Sequence, residues 1–134
     1  MRDPQSFPID EQESGSYLAI LTDDLGSVVP ASALTSLQIT LYVIRADGSI
    51  AYVNNRVHQS CLNQNNVTVF ESLQILPDGR RYNLRWQIQP EDSTLQEALL
   101  FETHHFLFEW TWAQGQGKHE GRLVVKNIPV VPQV

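Results

Sequence analysis

Three of the four histidines in this 134-residue chain, His104, His105 and His119, fall within one eighteen-residue stretch, HHFLFEWTWAQGQGKHEG, together with Glu109, Glu120 and four aromatic rings. Imidazoles and carboxylates are the groups from which zinc sites and general acid–base pairs are built, so chemistry is to be sought here first. The same stretch also reads as one hairpin of a β-structure, and alternation separates the two readings. On a strand, His104, Phe106, Phe108, Trp110 and Trp112 share one face, while Thr103, His105, Leu107, Glu109 and Thr111 share the other. The even face carries the rings and is expected to be the core. If the hairpin sets Ala113 opposite Lys118 and Trp112 opposite His119, then Phe108 meets Leu123, Phe106 meets Val125, and Trp110 covers Gly121. His104 and His105 then point apart, and His119 sits about seven residues from either along a ladder rising ~3.4 Å per residue. His105 and Glu109 share a face but stand roughly 13 Å apart, against bonds of about 2 Å in a zinc site. No shared metal is expected.

The remaining reactive groups are more dispersed. Cys61 and His58 form an i, i+3 pair that meets only on a helical turn, with no third residue to orient the base. A partly buried, inert thiol is the expectation, and a single cysteine makes no internal disulfide. Asp23-Asp24 falls in a turn and Glu91-Asp92 at a helix start, where carboxylates favour the local dipole. Asn66 heads an NVT sequon that reads most simply as a strand start, and there is no glycine-rich phosphate loop, CxxC or HExxH. The residues therefore predict no catalytic group, no cofactor and no metal. A small hydrolase using Cys61 is the weakest of the function classes considered.

Composition narrows the partners. Fifteen acids against nine bases give a net charge of −6, the wrong sign for a phosphate-binding surface. Arg80, Arg81 and Arg85 form the one basic cluster; Arg81 and Arg85 share a strand face, which reads as a solvated edge. No apolar run approaches the ~20 residues of a membrane-spanning helix, so neither nucleic acid nor membrane is an expected partner. The first sixteen residues, MRDPQSFPIDEQESGS, lack the apolar core of a secretory signal, which leads us to expect a protein made and kept in a cytoplasm, or assembled there.

The elements that would position these groups are mostly strands. SYLAILT (16–22) begins the series, DDLG (23–26) turns, and SVVPASALTS is an irregular crossing. LQITLYVI puts Leu37, Ile39, Leu41 and Val43 on one face. Asp47-Gly48 and Pro77-Asp78-Gly79 signal hairpins, the first read as a two-residue turn with positive φ at both positions. IAYVN (50–54) returns from the first. NRVHQSCLNQN is an irregular link or a single helical turn anchored by Val57 and Leu62. NVTVFESLQIL (66–76) and RYNLRWQIQ (81–89) flank the second hairpin, with Tyr82, Leu84, Trp86 and Ile88 inward and Asn83, Arg85 and Gln87 outward. PEDSTLQEALL is the one credible helix, capped by Asp92 or Ser93 and including Glu97. About seven short strands with turns every 8–12 residues or so predict an all-β antiparallel sandwich or barrel. Residues 1–15 read as an extended arm whose order depends on a neighbour, 16–128 as the domain, and 129–134 as a tail.

SLQITLYVIRADGSI, NNRVHQSCLNQNNVTV, ETHHFLFEWTW and GKHEGRLVVKNIPVV together resemble the small immunoglobulin-like structural proteins that tailed bacteriophages encode among their head and neck genes, over about residues 17–130. The resemblance implies a single antiparallel immunoglobulin-like β-sandwich with one short helix and extended termini. It also implies a non-enzymatic virion protein assembled in the host cytoplasm, binding capsid, portal, neck or fibre proteins as a decoration or adaptor, in several copies. It supplies no catalytic residue. The arm and IPVVPQV match poorly and are where a specific role is expected, so Phe7, Ile9, Ile128, Val130 and Val131 are the interface candidates. The alternative is a carbohydrate- or cell-surface-binding module with Tyr42, Tyr52 or Trp112 as stacking platforms.

Overall fold

The computed structural model describes residues 5–10, 15–94 and 101–126, with the backbone alone at 5–10 and at Phe101. Among the described residues the chain forms nine strands: β1 (Gln5–Asp10), β2 (Gly15–Ala19), β3 (Leu34–Ile44), β4 (Ile50–Tyr52), β5 (Gln59–Ser60), β6 (Val67–Ile75), β7 (Arg81–Ile88), β8 (Phe101–Trp112) and β9 (Gly115–Lys126). One sheet runs β1-β9-β8-β3-β4, with β5 also bonded to β3; the other runs β2-β7-β6. All pairings are antiparallel except β1 on β9, which is parallel.

Alternation accounts for the core, because every second side chain of a strand reaches the same face. Leu37, Ile39, Leu41 and Val43 of β3 are buried beside Phe106, Phe108 and Trp110 of β8, and Leu84, Trp86 and Ile88 of β7 face them from the other sheet within one cluster. Trp86 meets Phe106 and Phe108 edge-on, with centroids 5.2 and 5.8 Å away. Such contacts put negative ring faces against positive edges and join the sheets. Truncating Trp86 to Ala is expected to cost about 3–5 kcal/mol.

Several sequence-based expectations are corrected. The β8–β9 hairpin turns at Ala113-Gln114, so Trp112 pairs with Gly115, Trp110 with Gly117, Phe108 with His119 and Phe106 with Gly121. The register lies four residues from the expected one. Four is even, so the ring-bearing face still points inward. The glycines read as loop residues belong to β9, where a Cβ at Gly117 would lie 2.5–2.7 Å from the Trp110 indole. Their hydrogens make room for the rings.

Asp47-Gly48 does not form a two-residue turn either. Gly48 N–H donates to Arg45 O and Arg45 N–H to Ser49 O, with Gly48 alone at positive φ, and Leu76–Arg80 repeats the arrangement. This is a type I turn closed by a left-handed glycine, a form in which Asp47 and Asp78 accept from the backbone two residues on.

The expected helix is, in the described part, one 3₁₀ turn, Pro90–Ser93, with Gln89 rather than Asp92 or Ser93 at the cap position. Gln89 and Asp92 bond reciprocally, and Thr94 is already extended. Residues 95–100, including Glu97, lie outside the described residues. In the link after β4, Val57 is exposed and Leu62 is half-buried, so of the two expected anchors only Leu62 packs on the core, beside the fully buried Cys61. Asn54, Asn55, His58, Asn63, Asn65 and Asn66 adopt positive φ there, a conformation asparagine tolerates better than most residues. Asn83, expected outward, is fully buried: Leu21 N–H donates to its Oδ1 at 2.7 Å and its Nδ2 donates to Val29 O at 2.8 Å. Its amide replaces a missing ladder for the irregular strand-to-strand crossing.

Candidate functional site

The histidines of the opening stretch go to three different places. His105 lies on the outer face of the larger sheet, stacked on Tyr42 with ring centroids 5.2 Å apart. Burial, reinforced by the Arg122 and His104 charges, pushes its pKa down against a weaker opposing pull from Glu120. His119 faces inward and bonds through Nε2 to the Tyr17 hydroxyl. Burial pushes that phenol up to about 12, so it stays protonated and acts as the donor.

His104 is fully buried, with Nδ1 2.8 Å from the Asp92 carbonyl oxygen and Nε2 2.5 Å from Glu102 Oε1. A carbonyl only accepts, so Nδ1 carries a proton. The link to Glu102 then holds a single proton, either as imidazolium and carboxylate or as neutral imidazole and carboxylic acid.

Asp92 connects this pair to a residue the sequence reading overlooked. Arg56, 2 % exposed, donates through Nε to Asp92 Oδ1 at 2.6 Å and through Nη2 to Oδ2 at 3.2 Å. Asn54 Nδ2 and Gln89 N–H also donate to the same carboxylate. Arg56 Nη1 reaches Gln59 Oε1 and Asn65 O, and the guanidinium lies over the Trp86 ring at 5.8 Å. This cluster ties the Asn-rich link to the turn after β7. Its members spend their hydrogen bonds on one another, which is structural work.

His58 and Cys61 do not meet in a reactive geometry. His58 turns outward to Glu109 at 3.2 Å, with Lys118 4.0 Å from the same carboxylate's other oxygen. Cys61 is buried, and desolvation raises its thiol to about 12 despite the nearby Arg56 charge. A thiol held protonated at neutral pH is a poor nucleophile. Asp23 serves its turn by accepting from Leu25 and Ser27 N–H. Among the described residues, no group of three or more His, Cys, Asp and Glu side chains is placed to hold a metal ion, and no helix is long and apolar enough to cross a membrane.

Two surface features stand out among the described residues. On the outer face of the larger sheet, Ile44 pairs with Ile50 and Tyr42 with Tyr52, leaving Ile44, Ile50 and Tyr52 about half exposed as an apolar strip. At the hairpin end, a cleft of about 370 Å³ is lined by residues 116–120 of β9, by Ile20, Thr22, Asp23 and Asp24, and by Trp110 and Trp112. The half of β9 along this cleft pairs with β8, and the described part of β1 pairs with β9 from Gly121 to Lys126.

Comparison with protein-family models and with curated proteins gives no match. The geometry therefore has to carry the functional reading.

Of the expected interface residues, Phe7 and Ile9 lie in β1, in register with Leu123 and Val125. The arm thus contributes a strand to its own sheet rather than waiting for a neighbour, because β9 offers it an edge. Ile128, Val130 and Val131 lie outside the described residues. The exposed strip was missed by the sequence reading, although Ile44 and Ile50 flanking a turn gave it a visible signal.

Proposed function

We propose that this chain is a non-enzymatic, immunoglobulin-like sandwich that serves as a structural protein of a tailed-phage virion, docking onto other virion proteins and onto copies of itself. The observation that carries the fold assignment is the strand order. With β2 to β9 taken as strands B, C, C′, an extra C″-like piece, D, E, F and G, the smaller sheet is B-E-D and the larger is G-F-C-C′, with the N-terminal strand beside G. That division fits a variable-type immunoglobulin arrangement. The assembly role is supported by the strip of Ile44, Ile50 and Tyr52, apolar side chains that an isolated monomer gains nothing by exposing together. The buried ionisable groups are committed to packing, which favours a binding role over a catalytic one.

The test is coexpression with the capsid, neck and fibre proteins of the same genome. An Ile50→Asp, Tyr52→Asp variant is expected to melt within a few degrees of wild type and to be lost from purified particles. Incorporation of that variant at the wild-type copy number would overturn the reading.

A further inference from the structure

The outer face of the larger sheet sets its apolar and charged side chains in rows. Strand pairing places Tyr52, Tyr42, His105 and Arg122 in one row across β4, β3, β8 and β9. Two residues along each strand toward the Asp47 turn, Ile50, Ile44, Thr103 and Val124 form the next. At the β4 side of these two rows, Ile44, Ile50 and Tyr52 are 55 %, 54 % and 50 % exposed. Apolar area left in water forfeits ~25 cal/mol per Å², so adjacent exposed side chains of this size mark a surface that gains by being covered.

The charges on the β9 side of the same face alternate in sign. Lys126, Arg122, Glu120 and Lys118 point outward and are exposed, with the half-buried Val124 between the first two. Successive members of this column stand ~6.8 Å apart, two strand residues. The chain as a whole carries −6, so two copies repel in general, and a face that mixes bases with acids is where that repulsion is weakest. A uniformly acidic partner would meet Glu120 as a like charge, and a uniformly basic one would meet Lys126, Arg122 and Lys118. The same column running in reverse can meet it with opposite charges, and a second copy supplies that column.

Symmetry fixes the placement. A twofold axis that crosses the strands midway between the Ile44 and Tyr42 rows lays Ile50 on Tyr52 of the second copy, Ile44 on Tyr42, and Lys126 on Glu120. Moving that axis by half a row either way sets Arg122 against Lys126 or against itself. An axis along the strands would carry the strip away from itself, onto β9. Four strands ~4.8 Å apart and four rows ~6.8 Å apart make a patch of roughly 500 Å² per copy. The two patches together reach the ~1,000 Å² at which a specific contact becomes stable.

We propose that the outer face of the larger sheet docks on the same face of a second copy, with Ile44, Ile50 and Tyr52 at the centre and Glu120 opposite Lys126 at the rim. The contact is isologous, so it closes at two copies. This rests on the assembly reading and deepens it by naming one partner. Its readout, self-association of the pure protein, is independent of the other virion proteins.

Four full-length proteins test it: wild type, the Ile50→Asp, Tyr52→Asp strip variant, Glu120→Lys, and Lys126→Glu. All alter exposed side chains and should melt within a few degrees of one another. Sedimentation velocity should show a concentration-dependent monomer–dimer equilibrium for wild type and monomers for the strip variant. Each charge variant alone should dimerise at least about tenfold more weakly. An equal mixture of the two charge variants should associate as wild type does, because both cross-copy contacts then join opposite charges. Wild type that stays monomeric at about 1 mM, where even weak contacts form, would overturn the proposal. So would growth beyond two copies, a strip variant that still dimerises, charge variants that associate like wild type, or a mixture no tighter than its parts. A monomeric wild type whose strip variant is still lost from particles would sink this contact alone, the strip then meeting another virion protein.

Discussion

The two ends of the sandwich solve the same packing problem with opposite chemistry. At the end holding the turn after β7, buried polar groups close the structure: Arg56 grips Asp92, and His104 bridges the Asp92 carbonyl and Glu102. At the hairpin end, indoles lie over glycines whose bare backbone makes room for them. Polar groups at the first end have one another as partners and fix a single arrangement. At the second end it is ring-on-backbone packing that fixes the arrangement.

The largest test of this contrast is to break the charged end. Removing one partner of a buried pair strands the other charge, so Arg56→Met or Asp92→Leu alone should cost about 3–5 kcal/mol in chemical denaturation. The double variant should lose less than the sum of the two. Additive losses would show that the pair is not coupled.

Alkali should loosen the core from two positions. Tyr17 and Cys61 have folded values of about 12 against ordinary values of 10.0 and 9.0. A raised value means the folded state holds its proton longer; the stabilisation is complete below the ordinary value and is lost as pH rises through about 12. Stability should therefore fall from about pH 9 upward, with Tyr17 accounting for roughly 3 kcal/mol and Tyr17→Phe removing that share. His105 acts in the other direction, since its lowered value makes acidification below its ordinary range mildly destabilising. A flat profile between pH 9 and 12 would contradict the burial of both groups.

At the hairpin end, Gly117→Ala forces a methyl into the Trp110 ring and should cost about 1–3 kcal/mol. Gly115→Ala, whose nearest ring atom is 3.2 Å away, should cost less. Equal costs would mean that the rings do not rest on these glycines as described. The smallest effect is expected at the exposed Asp78–Arg80 pair, where Arg80→Ala should leave the denaturation midpoint unchanged.

Alternation made much of the core legible in the sequence. Leu37 to Val43, Leu84 to Ile88 and Phe106 to Trp110 point inward as their period-two spacing requires. The hairpin register differs from the expected one because Gly115 and Gly117, typical loop residues, belong to β9. Yet each ring–glycine pair, Trp112 with Gly115, Trp110 with Gly117 and Phe106 with Gly121, follows the same two-residue turn, a regularity visible in the sequence once glycine is read as packing space. Arg56 and Asp92 are thirty-six positions apart, and Arg56 sits in an aperiodic link where no spacing rule operates. Asn83 occupied an outward position in the alternation but is covered by a crossing segment that no strand pattern predicts. The pairing of β1 with β9 joins opposite ends of the chain and had no local signature.

The ring-over-glycine contacts also constrain how this hairpin can change over time. A side chain gained at position 117 or 121 collides with a ring already in place, and a ring lost from position 110 or 106 leaves a hole above bare backbone. Neither single step is neutral, so each ring and its facing glycine form one heritable unit. Related chains should keep both members or replace them together.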